Sequence, residues 1–453
     1  MKLGGRRILV VGMARSGIAA ARLILHHGGI PILSDQKSEE AFGQDLDMLR
    51  GTACEFRLGE DARKLLEGAE GLVISPGVPI DAPVVKRAKE LGVPMVGELE
   101  LGWSLLQGEM LAISGTNGKT TTTTLLGKIF ENAGRVTHVA GNIGYPLSSV
   151  ALESKKDDVC VVEVSSFQLE SVRTFHPRVA ALLNITEDHL NRHGDMQTYI
   201  RLKQRLFENQ SERDVAVLNL DDPALRKMAD RVKSRVAFFS RTQKVENGAF
   251  VDEGKLVWQW DGVRKPICDA DAILIPGPHN LENALAAAAM ACAMDVPAPV
   301  IRHTLMSFTG VEHRIEKVRV FQGVTYINDS KGTNVDSTIK AVQSMRAPTV
   351  ILLGGYDKHA DFAPLCREIA QTPHITDAVV MGQTARQIDG QLREAGFDRV
   401  VRAYSLEDAL QKARSLAVPG GNVLLSPACA SFDMFRDYEH RGQAFKELVA
   451  TLG

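Results

Sequence analysis

The sequence predicts an α/β protein of three domains built on largely parallel sheets, and three observations lead to that class. Short β-branched runs of the buried-strand type alternate with helical stretches through most of the chain. At 453 residues the chain is too long for one ordinary core, since a domain holds roughly 100–200 residues. Several of the strand-like runs end in glycine or Pro-Gly stops, as at Gly12, Pro76-Gly77 and Gly115.

The first domain is expected over residues 1–98. Residues 7–12 read as a buried parallel strand, 16–27 as a helix, 31–35 as the next strand and 71–75 as a third. The second domain, 99–308, opens with a strand at 110–114, a glycine loop, and a threonine-rich helix start at Thr120. Residues 159–163, 179–184 and 215–219 supply further buried strands. The stretch 235–275 alternates more strongly and carries Trp258 and Trp260, which predicts an antiparallel addition before helices at 279–294 and 299–307. In the third domain, 309–453, strands at 324–328, 349–353, 378–381 and 422–426 again alternate with helices.

Charge narrows the function classes. Lys plus Arg number 53 against 55 Asp plus Glu, a net charge of -2, so no overall field favours nucleic acid or an anionic membrane. An anionic ligand has to be held by local groups. The six cysteines, Cys54, Cys160, Cys268, Cys292, Cys366 and Cys429, form no C-x-x-C pair, which argues against a zinc site or a disulfide framework and fits a reducing compartment. The N-terminal apolar run is too short for a signal peptide, and the Ala-rich stretch 284–294 is about half a membrane span. The expectation is a soluble, cytoplasmic protein without membrane insertion.

Gly115-Thr-Asn-Gly-Lys-Thr120 sits between a strand and a helix. Glycines let backbone N–H groups turn onto an anion, and the helix start adds partial positive charge. Lys119 can bridge terminal phosphates, and the Thr120 hydroxyl can reach Mg²⁺. The generic phosphate-loop pattern would place a glycine at position 113, where Ile113 stands. Five successive threonines, 120–124, are poor helix formers that a purely structural helix would not favour. The loop is read as holding the phosphates of ATP.

Gly12-Met-Ala-Arg-Ser-Gly17, with Asp35 ending the next strand, approaches a dinucleotide fingerprint, but Ala14 replaces the middle glycine that lets a pyrophosphate come close. The helix start at Ser16-Gly17 can still receive a diphosphate and Asp35 can still accept from a base or ribose. A plain structural βαβ unit fits the same residues.

Nine strings, in order, resemble the Mur ligases: SGTNGKTTT (114–122), GNIG (141–144), EVSSFQLE (163–170), NITEDHLNRHG (184–194), PGPHNLENALAA (276–287), EHR (312–314), NDSKGTN (328–334), LLGGYDK (352–358) and LSPACASFDMF (425–435). They span nearly the whole chain, and SSFQLE and SPACASFDMF look most like the members that add D-glutamate. The resemblance implies a Rossmann-like UDP-binding domain, a central ATP-binding domain with the phosphate loop, and a C-terminal Rossmann-like domain that binds the amino acid. It implies a peptidoglycan-precursor enzyme, a monomer, joining D-glutamate to UDP-N-acetylmuramoyl-L-alanine. ATP would turn the carboxylate into an acyl phosphate, and the amine would attack through a tetrahedral intermediate, releasing ADP and phosphate.

The resemblance also assigns residues. Gly115, Thr116, Asn117, Gly118, Lys119, Thr120, Thr121, Asn283, Arg314 and Asp329 would meet ATP. Thr120, Glu163, His189 and Lys203 would hold two Mg²⁺ ions, Lys203 as a carbamate that converts a cation to an anion. Taken alone, the helical pattern 198–207 would make Lys203 an ordinary exposed lysine. Lys331 would approach the reacting groups, as would Lys119, Glu163, His189 and Lys203. Arg15, Ser16, Asp35, Gln36, Ser75, Gly77, Asn142, Ser165 and His189 would bind the UDP-substrate, and Thr333, Lys358, Ser431, Phe432 and Tyr438 would hold D-glutamate. ATP residues assigned to two domains imply closure about a hinge near 307–312.

Three alternatives remain at this point. A different amide ligase of the same superfamily would differ around Lys358 and 431–438. An ATP-hydrolysing switch would have no use for Glu163, His189 and Lys203 together. An NAD-dependent oxidoreductase would leave the phosphate loop unexplained.

Overall fold

The computed structural model describes residues 2–188, 190–357 and 360–453, without the side chains of 40, 41, 43–45, 190 and 191. The chain forms two compact units, Met1–Ala272 with Glu282–Met306, and Ile273–Leu281 with Ser307–Gly453. Three sheets organise it, two in the first unit and one in the second.

The N-terminal sheet runs Glu55–Phe56, Ile30–Ser34, Arg7–Val11, Gly71–Ile74, Met95–Gly97 in spatial order, all parallel. The order reverses on either side of Arg7–Val11, the strand from which the chain departs first one way and then the other. Ligand crevices form at such a switch point, outside the carboxyl ends of the strands. Gly12 has φ +90 and Gly17 packs against the Gly12 carbonyl so closely that a Cβ there would collide with it. That contact sets the helix Arg15–His26 tightly on the strand end.

The central sheet has nine strands, with Glu109–Ser114 between Val179–Leu182 and Val159–Glu163. Val159–Glu163 and Val179–Leu182 are buried along their whole length, as continuous apolar runs in a two-sided sheet should be. The expected antiparallel addition is present but starts later than its sequence pattern. Arg235–Ser240 pairs parallel with Gly248–Asp252, and only then do Lys255–Trp260 and Val263–Asp269 turn back antiparallel. Trp258 and Trp260 stack at 5.4 Å, with the Arg235 guanidinium over Trp260. The third sheet orders Glu316–Phe321, Val324–Asn328, Asn422–Leu425, Thr349–Leu353, Ile375–Val380 and Val400–Arg402, antiparallel only at its first pair. No helix among the described residues is long and apolar enough to cross a membrane.

One buried carboxylate joins the first sheet's last helix to the central domain. Glu100, on the helix Glu98–Leu105, accepts from the backbone N–H groups of Arg173 (2.9 Å), Thr174 (2.7 Å) and Phe175 (3.2 Å), and from the Thr174 hydroxyl (2.6 Å). Removing it strands three backbone donors. Glu100→Ala is therefore expected to destabilise the first unit by about 3 kcal/mol, read as a lower thermal unfolding midpoint. An unchanged midpoint would contradict this assignment.

Candidate active site

The phosphate loop follows the central strand Glu109–Ser114 and feeds the helix Lys119–Asn132. Gly115 has φ +151 and Gly118 has φ +83, so both positions use backbone conformations that side chains resist. Gly118 is the residue before the first helical turn, and Asn283 lies so close that a Cβ at 118 would run into its side-chain oxygen. The loop is braced from three sides. The Asn117 N–H donates to Asn184 Oδ1 (2.8 Å) and Asn184 Nδ2 donates back to the Asn117 carbonyl (3.1 Å). Thr116 Oγ1 contacts the Tyr199 hydroxyl (3.2 Å) and accepts from the Thr186 N–H (3.0 Å). The Lys119 ammonium donates to the carbonyls of Gly115 (2.9 Å) and Thr116 (2.7 Å).

The threonine run is spent on side-chain work. Thr120 donates to Glu163 Oε2 (2.8 Å), Thr122 donates to Asn283 Oδ1 (3.3 Å), and Thr123 bonds back to the Lys119 carbonyl (2.8 Å). Glu163, 1% exposed at the end of its strand, accepts on its other oxygen from Asn142 Nδ2 (2.8 Å). Thr120, Glu163 and Asn142 thus form one continuous row. A hydroxyl and a buried carboxylate are hard oxygen donors of the kind Mg²⁺ takes, so these residues fit that ion.

Lys203 is where pattern and structure part most clearly. Pattern alone made it exposed, yet it is 1% exposed, on the inward face of the helix Met196–Gln204, which Asp195 caps. Its amine donates to the Gly115 carbonyl (2.9 Å) and Ser114 Oγ (3.3 Å) and lies over the Tyr199 ring. Burial drives its pKa well below the ordinary lysine value, and the nearby Lys119 charge adds to that, against the pull of Asp188 and Glu163. A neutral amine is the form that can react with CO₂. His189 lies outside the described residues.

The cleft at the first sheet's switch point has a volume of about 940 Å³. Seven residues assigned from sequence to the UDP-substrate line it together: Arg15, Ser16, Asp35, Gln36, Ser75, Gly77 and Asn142. Four of them are already engaged: Arg15 with the Gly144 carbonyl, Asn142 with Glu163, and Asp35 and Ser75 with the backbone around the cleft. Asp35 accepts from the N–H groups of Met13 (2.8 Å) and Lys37 (3.0 Å), and the Ser75 hydroxyl donates to the Gly12 carbonyl (2.6 Å). These last two shape the loop around the cleft. Ser165 does not line it; its hydroxyl and Gln168 form a capping box on the helix Ser166–Leu169, and Gln168 is the one that reaches the cleft.

In the second unit, Arg314 faces Asp329 at 3.8 Å. Asp329 is fully buried and also accepts from Ser426 Oγ (2.7 Å) and the Ile315 N–H (3.2 Å). Burial raises its pKa, with Arg314 opposing. Lys331 donates to the Tyr438 hydroxyl (3.1 Å), and the Thr333 N–H donates to the Lys331 carbonyl (2.9 Å). Ser431 is buried, whereas Phe432 is 64% exposed and meets Tyr356 edge-on. Lys358 lies outside the described residues.

Several residues packed around these sites escaped the sequence reading. Arg192 stacks on Phe167, pairs with Glu170 (2.6 Å) and donates to the Pro76 carbonyl of the cleft (3.3 Å). His193 bonds Ser166 Oγ (2.9 Å), and burial lowers its pKa. Arg441 is buried beneath Ser330 and the loop 429–431. Arg192 and His193 stand inside NITEDHLNRHG, so that string carried a signal; Arg441 stands outside every quoted string.

Nucleotide-type loop, acidic strand end and switch-point cleft define a nucleotide-using α/β enzyme. Comparison with known proteins makes the class specific. The "Mur ligase MurD-like, N-terminal domain" family matches residues 6–97, "Mur ligase middle domain" 113–291, and "Mur ligase, glutamate ligase domain" 313–429. The chain is 45% identical over 454 aligned residues to the UDP-N-acetylmuramoylalanine--D-glutamate ligase of Alkaliphilus oremlandii and 44% identical to that of a Thermoanaerobacter species, covering 100% of each chain. Among solved structures it resembles the UDP-N-acetylmuramate-alanine ligase MurC of Thermotoga maritima, with a TM-score of 0.63 at 18% identity over 98% of this chain and 99% of that one. It likewise resembles MurF ligase of Thermotoga maritima in complex with ADP, with a TM-score of 0.60 at 16% identity over 99% and 96%. The chain belongs to the Mur ligase family. It is therefore an ATP-dependent ligase that forms an amide bond.

Proposed function

We propose that the protein joins D-glutamate to UDP-N-acetylmuramoyl-L-alanine at the expense of ATP, in the cytoplasm and as a monomer, during peptidoglycan-precursor synthesis. The observation that carries this reading is the row Thr120–Glu163–Asn142, which runs from the phosphate loop to the wall of the cleft. A carboxylate at the cleft's inner end would then lie beside the terminal phosphate. The reading assigns residues 1–98 to the UDP-substrate, 99–308 to ATP and 309–453 to the amino acid.

The chemistry follows from that placement. A carboxylate is a poor electrophile, and bringing it to a phosphate joins like charges, so catalysis rests on positioning and charge neutralisation. Loop N–H groups, the helix start and Lys119 hold the phosphates. Thr120, Glu163, His189 and a carbamylated Lys203 would hold two Mg²⁺ ions, which supply further charge neutralisation when bound. The substrate carboxylate oxygen bonds to the γ-phosphorus as its bond to the ADP oxygen breaks. The D-glutamate nitrogen then bonds to the acyl carbon, its proton is lost, and the carbon–oxygen bond to phosphate breaks. Thr333, Lys358, Ser431, Phe432 and Tyr438 are assigned to D-glutamate, with Lys331 directed at the reacting groups. Arg314 and Asp329 are assigned to ATP.

ADP release tests the reading with UDP-N-acetylmuramoyl-L-alanine and D-glutamate, L-glutamate, L-lysine or diaminopimelate offered singly. Release with D-glutamate alone is expected. Release with diaminopimelate or L-lysine instead would move the protein to another step of the same family's chemistry, and release with none would sink the assignment.

A further inference from the structure

The helix Tyr438–Ala450 holds a buried cation that the mechanism above does not use. Arg441 is 1% exposed and among the largest fully buried side chains of the described residues. Its guanidinium spreads over two separate segments. Nε donates to Ser330 Oγ (2.9 Å) and one terminal nitrogen to the Ser330 carbonyl (2.8 Å). The terminal nitrogens also donate to the carbonyls of Cys429 (3.1 Å) and Ala430 (3.3 Å). All four acceptors are neutral oxygens, an uncommon setting for a buried arginine, which ordinarily pairs with a carboxylate. Burial accordingly lowers its pKa to about 10, with Asp433 and Asp329 among the charges that oppose the shift.

The segments it ties together matter more than the bonds themselves. Ser330 precedes Lys331, and Cys429-Ala430 precedes Ser431, so one planar fork spans the two stretches that lead into the amino-acid residues. The second stretch needs holding, because Ala428 stands in the left-handed region at φ +59. The same helix turn adds further ties. The Tyr438 carbonyl accepts from Ser330 Oγ (2.8 Å) and its hydroxyl accepts from Lys331 (3.1 Å). Gly442 packs on the His313 ring with no room for a Cβ, and its carbonyl accepts from Asn328 Nδ2 (3.4 Å).

We propose that Arg441 is a positioning residue for the acceptor amino acid, fixing Lys331 and Ser431 relative to each other through Ser330 and the 429–430 carbonyls. This rests on the D-glutamate reading given above. Lysine keeps the charge but has no planar fork, so it cannot reach both segments in the same geometry. Ser330→Ala removes one of the four acceptors and keeps the arginine.

Steady-state kinetics of full-length Arg441→Lys and Ser330→Ala, with each substrate varied in turn, test the proposal. Arg441→Lys is expected to raise KM for D-glutamate about tenfold and lower kcat, leaving KM for ATP and for the UDP-substrate within about twofold. Ser330→Ala is expected to shift the same two constants less, and it decides the matter alone if the lysine variant does not fold. A parallel rise in all three KM values, or an unchanged KM for D-glutamate, would overturn the positioning role. Failure of the underlying reading looks different, since the unaltered enzyme would then release no ADP in response to D-glutamate.

Discussion

Lys119→Ala is expected to lower the rate of ADP release by about a thousandfold, on the scale of removing a preorganised charge from a developing phosphoryl transition state. Lys119 is the cation of the loop, and its ammonium already sits on the loop carbonyls of Gly115 and Thr116. Its loss has a second consequence. Lys203 donates to the same Gly115 carbonyl, and the Lys119 charge is one cause of its depressed pKa. Without Lys119, Lys203 is more readily protonated, so the variant should also need more bicarbonate for what activity remains. Lys119→Arg keeps the charge but not the compact ammonium, and should recover only part of the rate. A Lys119→Ala enzyme within about tenfold of the original would remove the loop from the chemistry.

Lys203→Ala should be nearly as damaging, with a loss of roughly a hundred- to a thousandfold. The lysine is buried against Ser114, Gly115 and Tyr199, and its pKa is held well below that of a free lysine. The sign of the pH effect follows. The unfolded chain binds a proton at this site up to the ordinary lysine range, whereas the folded protein gives it up earlier. Unmodified Lys203 therefore costs stability at low pH, and that cost fades as pH rises from the folded to the unfolded pKa. The neutral amine, and with it the carbamate, is favoured in the same direction. The unaltered enzyme should lose activity in CO₂-depleted buffer and regain it with bicarbonate. A Lys203→Ala enzyme fully active without bicarbonate would exclude an essential role.

Much of this was legible in the sequence because strand ends and glycines are local features. The strand before Gly115 and the switch-point loop at Gly12 follow from short patterns, whereas the pairing of Thr120 with Glu163 was only implied by the family resemblance. Lys203 was different. An amphipathic stretch shows which residues share a face, and the polar face was read as the solvent face. Here that face meets the phosphate loop, so the amine is buried where a helix of the same composition would normally expose it. Ser165 precedes a short helix and shares a capping box with Gln168, a local partnership that its assignment to the UDP-substrate did not foresee. Arg441 was out of reach because its four acceptors are mostly backbone carbonyls, whose positions no residue pattern encodes. The antiparallel hairpins beyond Gly248 were foreseen, but the parallel pairing before them depends on a crossover that alternation cannot reveal.

The central claim is that the terminal phosphate of ATP passes to the carboxylate in the cleft and not to water. Isotope transfer tests it most directly. UDP-N-acetylmuramoyl-L-alanine carrying ¹⁸O in both carboxylate oxygens is turned over with ATP and D-glutamate, and the inorganic phosphate is analysed by mass. The acyl-phosphate route predicts one ¹⁸O in each phosphate released, with the other retained in the new amide. Phosphate free of ¹⁸O, formed at the full rate of ADP release, would contradict it.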